Sequence, residues 1–289
     1  MVSFASGRWR FLRMAGALLA GVLSTYLGIC TLALAAYSVI DPPVTGVQIQ
    51  RRVGAWTSDA AYEKQYRPVP LSRISDELEQ AVVAAEDSRF YQHGGIDWKV
   101  IREVIEQRRE GESQRGGSTI TQQLVKNLFM TTHSTYLRKA LEVPLTYAAE
   151  LLLSKERILE LYLNVIEWGP GVYGAEAAAQ HYYGQSAQTL SQYRSAALAA
   201  CIPNPLARTP QSMDWYTRII LQRMNIMDGT AANASSAPSP DPATADTSAS
   251  ASSPSTESDT LAPDPAKALP PEPTDTLDDA PTTDTTTTS

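Results

Sequence analysis

The run Gly116-Gly117-Ser118-Thr119-Ile120-Thr121-Gln122-Gln123-Leu124-Val125-Lys126-Asn127-Leu128-Phe129, GGSTITQQLVKNLF, sets the character of this chain. Two glycines lead into hydroxyl-bearing residues, and Ser118 offers an N-cap for the helix that follows. Ile120, Leu124 and Leu128 recur at i, i+4 and i+8, the spacing of one buried helix edge. Lys126 and Asn127 leave from another flank. Backbone N–H groups at such a start create positive potential suited to anions. A capped surface helix carrying amide residues is the plain alternative. It does not explain why so many hydrogen-bonding side chains crowd one short helix.

Helical spacing continues on both sides. Upstream, Asp76–Asp87 carries Leu78, Val82 and Glu86 at i, i+4 and i+8. Asp97 is placed to cap WKVIREVIEQRR, where Trp98, Ile101 and Ile105 form one stripe before Gly111 stops it. Downstream, Tyr136–Leu153 places Leu137, Leu141, Leu145, Ala148 and Leu152 on one stripe. Ser154 can cap the segment ending at Trp168, and further helices are expected over Tyr193–Ile202 and Ser212–Met227. Pro144 withdraws a hydrogen bond from the carbonyl of Ala140, so its helix either kinks or restarts there. No alternating β-branched run is long enough for a sheet. The expected fold class is all-α, or strongly α-dominated.

The formal charge of −7 is unevenly spread. Residues 230–289 hold ten acidic residues against Lys267 alone, a net of −9, which leaves about +2 for residues 1–229. That is no charge field for nucleic acid, so no nucleic-acid partner is expected. The Ala/Ser/Thr/Pro/Asp tail has too few apolar side chains to offset chain entropy and should be disordered. Met14–Ile40 has no charged side chain. At 1.5 Å per residue it reaches roughly 40 Å, against a hydrocarbon core of about 30 Å. Arg8, Arg10 and Arg13 before it place the N-terminus in the cytoplasm and the rest outside. A cleaved signal peptide is the competing reading, but the run is too long and lacks a clean A-x-A site. The organisation is thus a short N-terminus (1–13), a membrane span (14–40), a juxtamembrane segment (41–68), a folded domain (69–229) and the tail (230–289). Cys30, in the apolar run, and Cys201, in a helix, say nothing firm about redox compartment.

Chemistry concentrates at three places. In VVAAEDSRFYQHGG, Val82–Gly95, Glu86 continues the apolar face while Asp87 is turned by about 100° toward the flank. A carboxylate on that face is costly unless it has partners. Asp87 can instead pair with Arg89 or a backbone N–H, as an ordinary helix end would. In Arg138-Lys139-Ala140-Leu141-Glu142, a surface i, i+4 ion pair stands against a binding site for a phosphate group. The hexapeptide GPGVYG, Gly169–Gly174, matches G-x-G-x-x-G but follows a helix rather than a strand, so it is a glycine-rich connection. His93, His133 and His181 lack metal-ligand spacing, although His93 can orient the loop after Glu86. No lysine has serine three positions before it, which argues against a penicillin-binding serine acyltransferase centre.

Together these motifs resemble the peptidoglycan glycosyltransferase family. That fold stands alone in monofunctional biosynthetic transglycosylases and forms one domain of class A penicillin-binding proteins. The resemblance is carried by AAEDSRFYQHGGIDW (Ala84–Trp98), GGSTITQQLVKNLF, RKALE, SKERILELYLN (Ser154–Asn164), GPGVYGAEAAAQHYYG (Gly169–Gly184) and LAACIPNP (Leu198–Pro205). Order and spacing agree from about Val69 to Arg208, and the short ending resembles the monofunctional members, so no transpeptidase activity is expected. There are two departures. Tyr193-Arg194-Ser195-Ala196-Ala197 stands where the family usually has a glutamate, and Pro144 replaces a helix-compatible residue close to Glu142.

The resemblance implies a lysozyme-like, α-helical domain that polymerises lipid II through β-1,4 bonds, with inversion and loss of undecaprenyl pyrophosphate. Glu86 would be the general base and Glu142 the second catalytic carboxylate, orienting cations or a divalent ion against the leaving pyrophosphate. Lys126, Arg138 and Lys139 would neutralise that charge, with Ser118, Thr119, Gln122, Gln123 and Asn127 binding sugar and phosphate. Asp87, Phe90 and His93 would support the loop. No cofactor is required, and Mg or Mn at the pyrophosphate is the candidate ion. Partners would be lipid II, the growing strand, the bilayer of the cell inner membrane and other cell wall synthesis proteins. Apolar surface at Leu128–Met130 or Leu151–Leu153 is assigned to the core rather than to the membrane interface. Two other classes compete: a lysozyme-like muramidase, which has no pyrophosphate to hold, and a non-catalytic anchored scaffold.

Overall fold

The computed structural model describes residues 3–58, 62–110, 116–133 and 135–235, with side chains from residue 9 to residue 229. The expected disorder of the tail and the stop at Gly111 therefore concern residues outside those described, apart from the few tail residues up to Ser235. Among the described residues are ten α-helices: α1 Ser3–Tyr37, α2 Gly46–Thr57, α3 Asp76–Glu86, α4 Trp98–Arg109, α5 Ile120–Phe129, α6 Tyr136–Leu152, α7 Lys155–Val165, α8 Ala175–Tyr183, α9 Gln192–Ala199 and α10 Asp214–Ser235. Trp98–Gly117, with α4, forms a unit of its own. On α4 the expected stripe is not the buried one, since Trp98 and Ile105 are exposed and Val104 is buried.

In the main unit, α3 packs against α9 and α10, and α5 lies against α6 and α7. Leu78, Ile120, Leu124, Ile158, Leu159 and Trp168 are fully enclosed there. At 25 cal/mol per Å2 of apolar surface, each such side chain contributes about 1.5–3 kcal/mol relative to exposure. Hydroxyl caps start the helices: Ser75 accepts from the N–H of Leu78, and Ser154 from that of Arg157. The cap of α5 is Thr119, one residue later than Ser118, in a reciprocal capping box with Gln122.

A small three-stranded sheet joins the helices, with β1 Gln65–Tyr66, β2 Glu167–Gly169 and β3 Val172–Tyr173 in the order β1-β3-β2. β1 runs parallel to β3, and β2 antiparallel to it. GPGVYG is therefore a β-hairpin that leads into α8. Strands of two or three residues carry no readable alternation, which is why they escape a periodicity search. Gly174 adopts φ +88, and an added Cβ would stand 2.8 Å from the carbonyl oxygen of Asn164. Only glycine fits that turn.

Helix α6 is continuous through Pro144. Its buried residues are Glu142, Leu145, Thr146 and Ala149, one step round from the expected stripe. Leu137 and Leu151 are exposed, at 69 % and 85 %. Pro144 and Ala140 both face solvent, so the orphaned carbonyl can meet water and the helix survives. Leu128, Met130 and Leu153 are core, whereas Leu151 is not.

α1 is long and apolar enough to cross a membrane, its most apolar 18-residue stretch within Trp9–Tyr37 having a mean hydropathy of 2.0. Most of its side chains are exposed, but Cys30 and Leu34 are buried where α1 lies along α6. Its C-terminal part is tied down at several points. The Tyr26 hydroxyl donates to the Phe129 carbonyl at 3.0 Å, and the rings of Tyr37 and Phe129 stack at 6.4 Å. Arg157 donates to the carbonyls of Tyr37 and Ile40 and pairs with Asp41 at 3.0 Å. α1 is thereby tied to the end of α5 and the start of α7.

Candidate active site

The two adjacent acids part company where α3 ends. Glu86 is the last helical residue; Asp87, with φ −158 and ψ 72, leaves the helix. Helical phase therefore stops applying at Asp87, and the expected order of burial is reversed. Asp87 is buried at 8 % exposure, whereas Glu86 is partly accessible. The Asp87 carboxylate accepts from the backbone N–H of Ile120 at 3.1 Å, in the first turn of α5, and sits 3.0 Å from His93 Nε2. An acid at a helix N-terminus is favoured by the helix dipole. Arg89 pairs with Asp97 at 3.4 Å rather than with Asp87.

Glu86 is held from α5. Gln123 Nε2 donates to Glu86 Oε2 at 2.6 Å, and the Tyr162 hydroxyl on α7 donates to Gln123 Oε1 at 3.1 Å. Burial pushes the Glu86 carboxyl up from its ordinary value. The Gln123 hydrogen bond and the cations of Lys126 and Arg208 oppose this, without cancelling it. Burial also lowers Lys126, helped by neighbouring Arg138 and opposed by Glu142 and Glu86. Lys126 thus lies within the electrostatic reach of both carboxylates.

Glu142, on the inner face of α6, is 1 % exposed. Its oxygens lie 3.0 Å from Arg138 Nη1 and 2.9 Å from Lys139 Nζ, and Lys139 also donates to Ser118 Oγ at 3.1 Å. The pair is thus no exposed surface bridge. Among the described residues no three His, Cys, Asp or Glu stand together as a metal site. Glu142 is already occupied by two cations, so a divalent ion bound directly to it would have to displace one of them.

The remaining expected residues fall into two groups. Gln123, Lys126 and Asn127 line a cleft of about 250 Å3. Asn127 Nδ2 donates back to the Gln123 carbonyl at 2.8 Å, which fixes that stretch of α5. Thr119 and Gln122 are both buried and engaged with each other, and the Thr119 hydroxyl donates to the Gly95 carbonyl at 2.5 Å. Phe90 is fully enclosed, with Lys155 Nζ 4.4 Å above its ring. The structure adds four side chains: Arg51 and Glu167 line the cleft, Tyr162 holds Gln123, and the charge of Arg208 acts on Glu86. Tyr162 had a faint sequence signal, an aromatic hydroxyl in the apolar run ILELYLN. The others lie far apart in sequence and meet only through folding.

The chain matches the family model described as Transglycosylase over residues 52–228. The chain belongs to the transglycosylase family. Among its relatives, a biosynthetic peptidoglycan transglycosylase of Bordetella avium (strain 197N) is 42% identical over 240 residues, covering 78% of this chain and 99% of that protein. Proteins of the same description from Herminiimonas arsenicoxydans and Pseudomonas fluorescens (strain SBW25) are 50% and 46% identical over 165 and 169 residues. These cover 55% and 58% of this chain, and 71% and 70% of the relatives. Membership makes the chain a glycosyl-transferring enzyme of the monofunctional type, with the lysozyme-like, helix-dominated domain that the fold displays. Neither Pro144 nor Arg194 disturbs the carboxylates. Arg194 lies over the Tyr183 ring at 5.2 Å and bonds Gln185, on the α8–α9 side of the domain.

Proposed function

We propose that this enzyme polymerises lipid II into β-1,4-linked glycan strands, releasing undecaprenyl pyrophosphate, and carries no transpeptidase activity. One observation carries the reading: a partly accessible carboxylate, Glu86, is held by an amide at 2.6 Å and shares Lys126 with the buried Glu142, which pairs with Arg138 and Lys139. Inverting transfer needs such a division, with a base on the acceptor side and positive charge on the leaving-group side. Glu86 removes the proton from the acceptor 4-hydroxyl as its oxygen attacks the anomeric carbon. The bond to the diphosphate breaks on the opposite face, where Lys126, Arg138 and Lys139 receive the negative charge. Glu142 holds Arg138 and Lys139 in position. Asp87 and His93 brace the chain between α3 and α5. Thr119 and Gln122 act by setting the start of α5, while Ser118, Gln123 and Asn127 are placed to meet sugar or phosphate.

No cofactor is assigned to the protein, and Mg or Mn would enter with the pyrophosphate. α1 spans the inner membrane with its N-terminus cytoplasmic, which keeps the site beside a donor that never leaves the bilayer. The exposed apolar side chains of α6, Leu137 and Leu151, suit the same interface. The test is incubation of purified protein with lipid-linked precursor. Glycan polymer is expected, and Glu86→Gln should nearly abolish it while precursor binding survives. Shortening of preformed glycan, or full polymerisation by Glu86→Gln, would overturn the assignment. A muramidase would need no cationic trio.

A further inference from the structure

Opposite roles meet at Arg51, a residue to which the mechanism above gives no part. It stands on α2, a helix fixed at several points. Thr45 caps it, and an added Cβ on Gly46 would lie 2.6 Å from the Met130 carbonyl oxygen, so α2 sits against the end of α5 at close approach. Gln50 exchanges two hydrogen bonds with Thr132, at 2.9 and 2.7 Å. One turn is therefore locked immediately before Arg51.

The Arg51 side chain is itself oriented. Its Nε donates to Glu167 Oε2 at 2.9 Å. Glu167 is buried in turn, and its other oxygen accepts from the Tyr173 hydroxyl at 3.2 Å and the Gly171 N–H at 3.4 Å. A pair built only to hold α2 would use the bidentate fork that guanidinium and carboxylate form together. Here one nitrogen is engaged, and among the described residues Nη1 and Nη2 have no protein acceptor. The side chain keeps 27% exposure and lines the same cleft as Gln123, Lys126 and Asn127. A guanidinium pinned through Nε offers its two amino groups together, a geometry that matches an oxyanion.

We propose that Arg51 binds an anionic group of the glycan precursor, a diphosphate or a peptide carboxylate, in the cleft it shares with Lys126. This rests on the glycosyl-transfer reading. The experiment compares kcat and KM of the full chain in detergent, on lipid-linked precursor, for Arg51→Met, Arg51→Lys and Arg51→Met/Glu167→Gln. Hydrogen bonds to charged groups make a KM rise of about tenfold the expected effect for Arg51→Met, with kcat nearly unchanged. Lys should fall between, because it keeps the charge and loses the fork. The double variant removes the stranded buried acid and should keep the KM rise.

Inorganic pyrophosphate serves as competitor. Inhibition weakened in parallel assigns the diphosphate; unchanged inhibition with the KM rise retained assigns the peptide carboxylate. A wild-type KM in Arg51→Met, or its return in the double variant, would overturn the proposal. Were the wild-type protein to form no glycan, the glycosyl-transfer reading would fail on its own. Calorimetry of pyrophosphate and of the free peptide carboxylate on wild type against Arg51→Met would then decide the role of Arg51, equal affinities for both counting against it.

Discussion

Gln123→Leu tests whether Glu86 is a base whose strength is set from α5. The substitution removes the 2.6 Å hydrogen bond to Glu86 Oε2 and leaves the carboxylate in place. A hydrogen bond to a charged group is worth about 1.5–3 kcal/mol. At 1.36 kcal/mol per pK unit, its loss should raise the Glu86 pKa by about 1–2 units. The sign follows from the chemistry. Glu86 already lies above its ordinary value through burial, and the bond favours the ionised form that works as a base. Without it, Glu86 stays protonated to higher pH, and the acidic limb of the kcat/KM profile moves up by the same amount. Activity should therefore fall steeply at the acid end and recover in part well above the new limb. Tyr162→Phe, which removes the donor behind Gln123, should move the limb the same way by less. An acidic limb that stays put or moves down in Gln123→Leu would refute the coupling, whatever happens to the maximal rate.

Three further outcomes follow from the same geometry. Because burial raises the folded-state pKa of Glu86, its ionisation opposes folding increasingly as pH rises from the unfolded value through the folded one. Glu86→Gln should therefore melt at or above the wild-type temperature at pH 8 while losing polymerisation, and a clear drop would contradict this. Thr119→Val removes the cap of α5 and should cost about 1 kcal/mol in denaturant unfolding, with KM less affected than by Arg138→Ala. Glu142→Ala strands Arg138 and Lys139 beside a buried gap. For a fully buried pair this costs about 3–5 kcal/mol, and the exposure of Lys139 places the expected loss at the lower end, read from urea midpoints.

Much of the site was legible because its parts lie on single helices. Lys126 and Asn127 share a helix with Gln123, and Arg138 and Glu142 are one turn apart, so spacing alone grouped them. The failures occur where a helix ends or turns on its axis. Thr119 rather than Ser118 caps α5, because the Gly95 carbonyl and Asp87 fix where the chain enters the helix. Asp87 was assigned to a flank by a helical phase that no longer holds at its φ and ψ. On α6 the apolar count favoured Leu137 and Leu141, yet packing turned Glu142 inward, where Arg138 and Lys139 satisfy it.

Local chemistry in the sequence was enough for the helical class, the long apolar helix and the candidates Glu86, Lys126, Asn127, Arg138 and Glu142, since helix periodicity, hydropathy and charge are properties of neighbouring residues. The partnerships were set by folding. Glu86 meets Gln123 and Tyr162 from two other helices, and Arg51 meets Glu167 across 116 positions of chain. Such contacts depend on how helices cross and where the short β-hairpin turns. A carboxylate becomes a base, and a guanidinium a fixed fork, only when those crossings supply its neighbours.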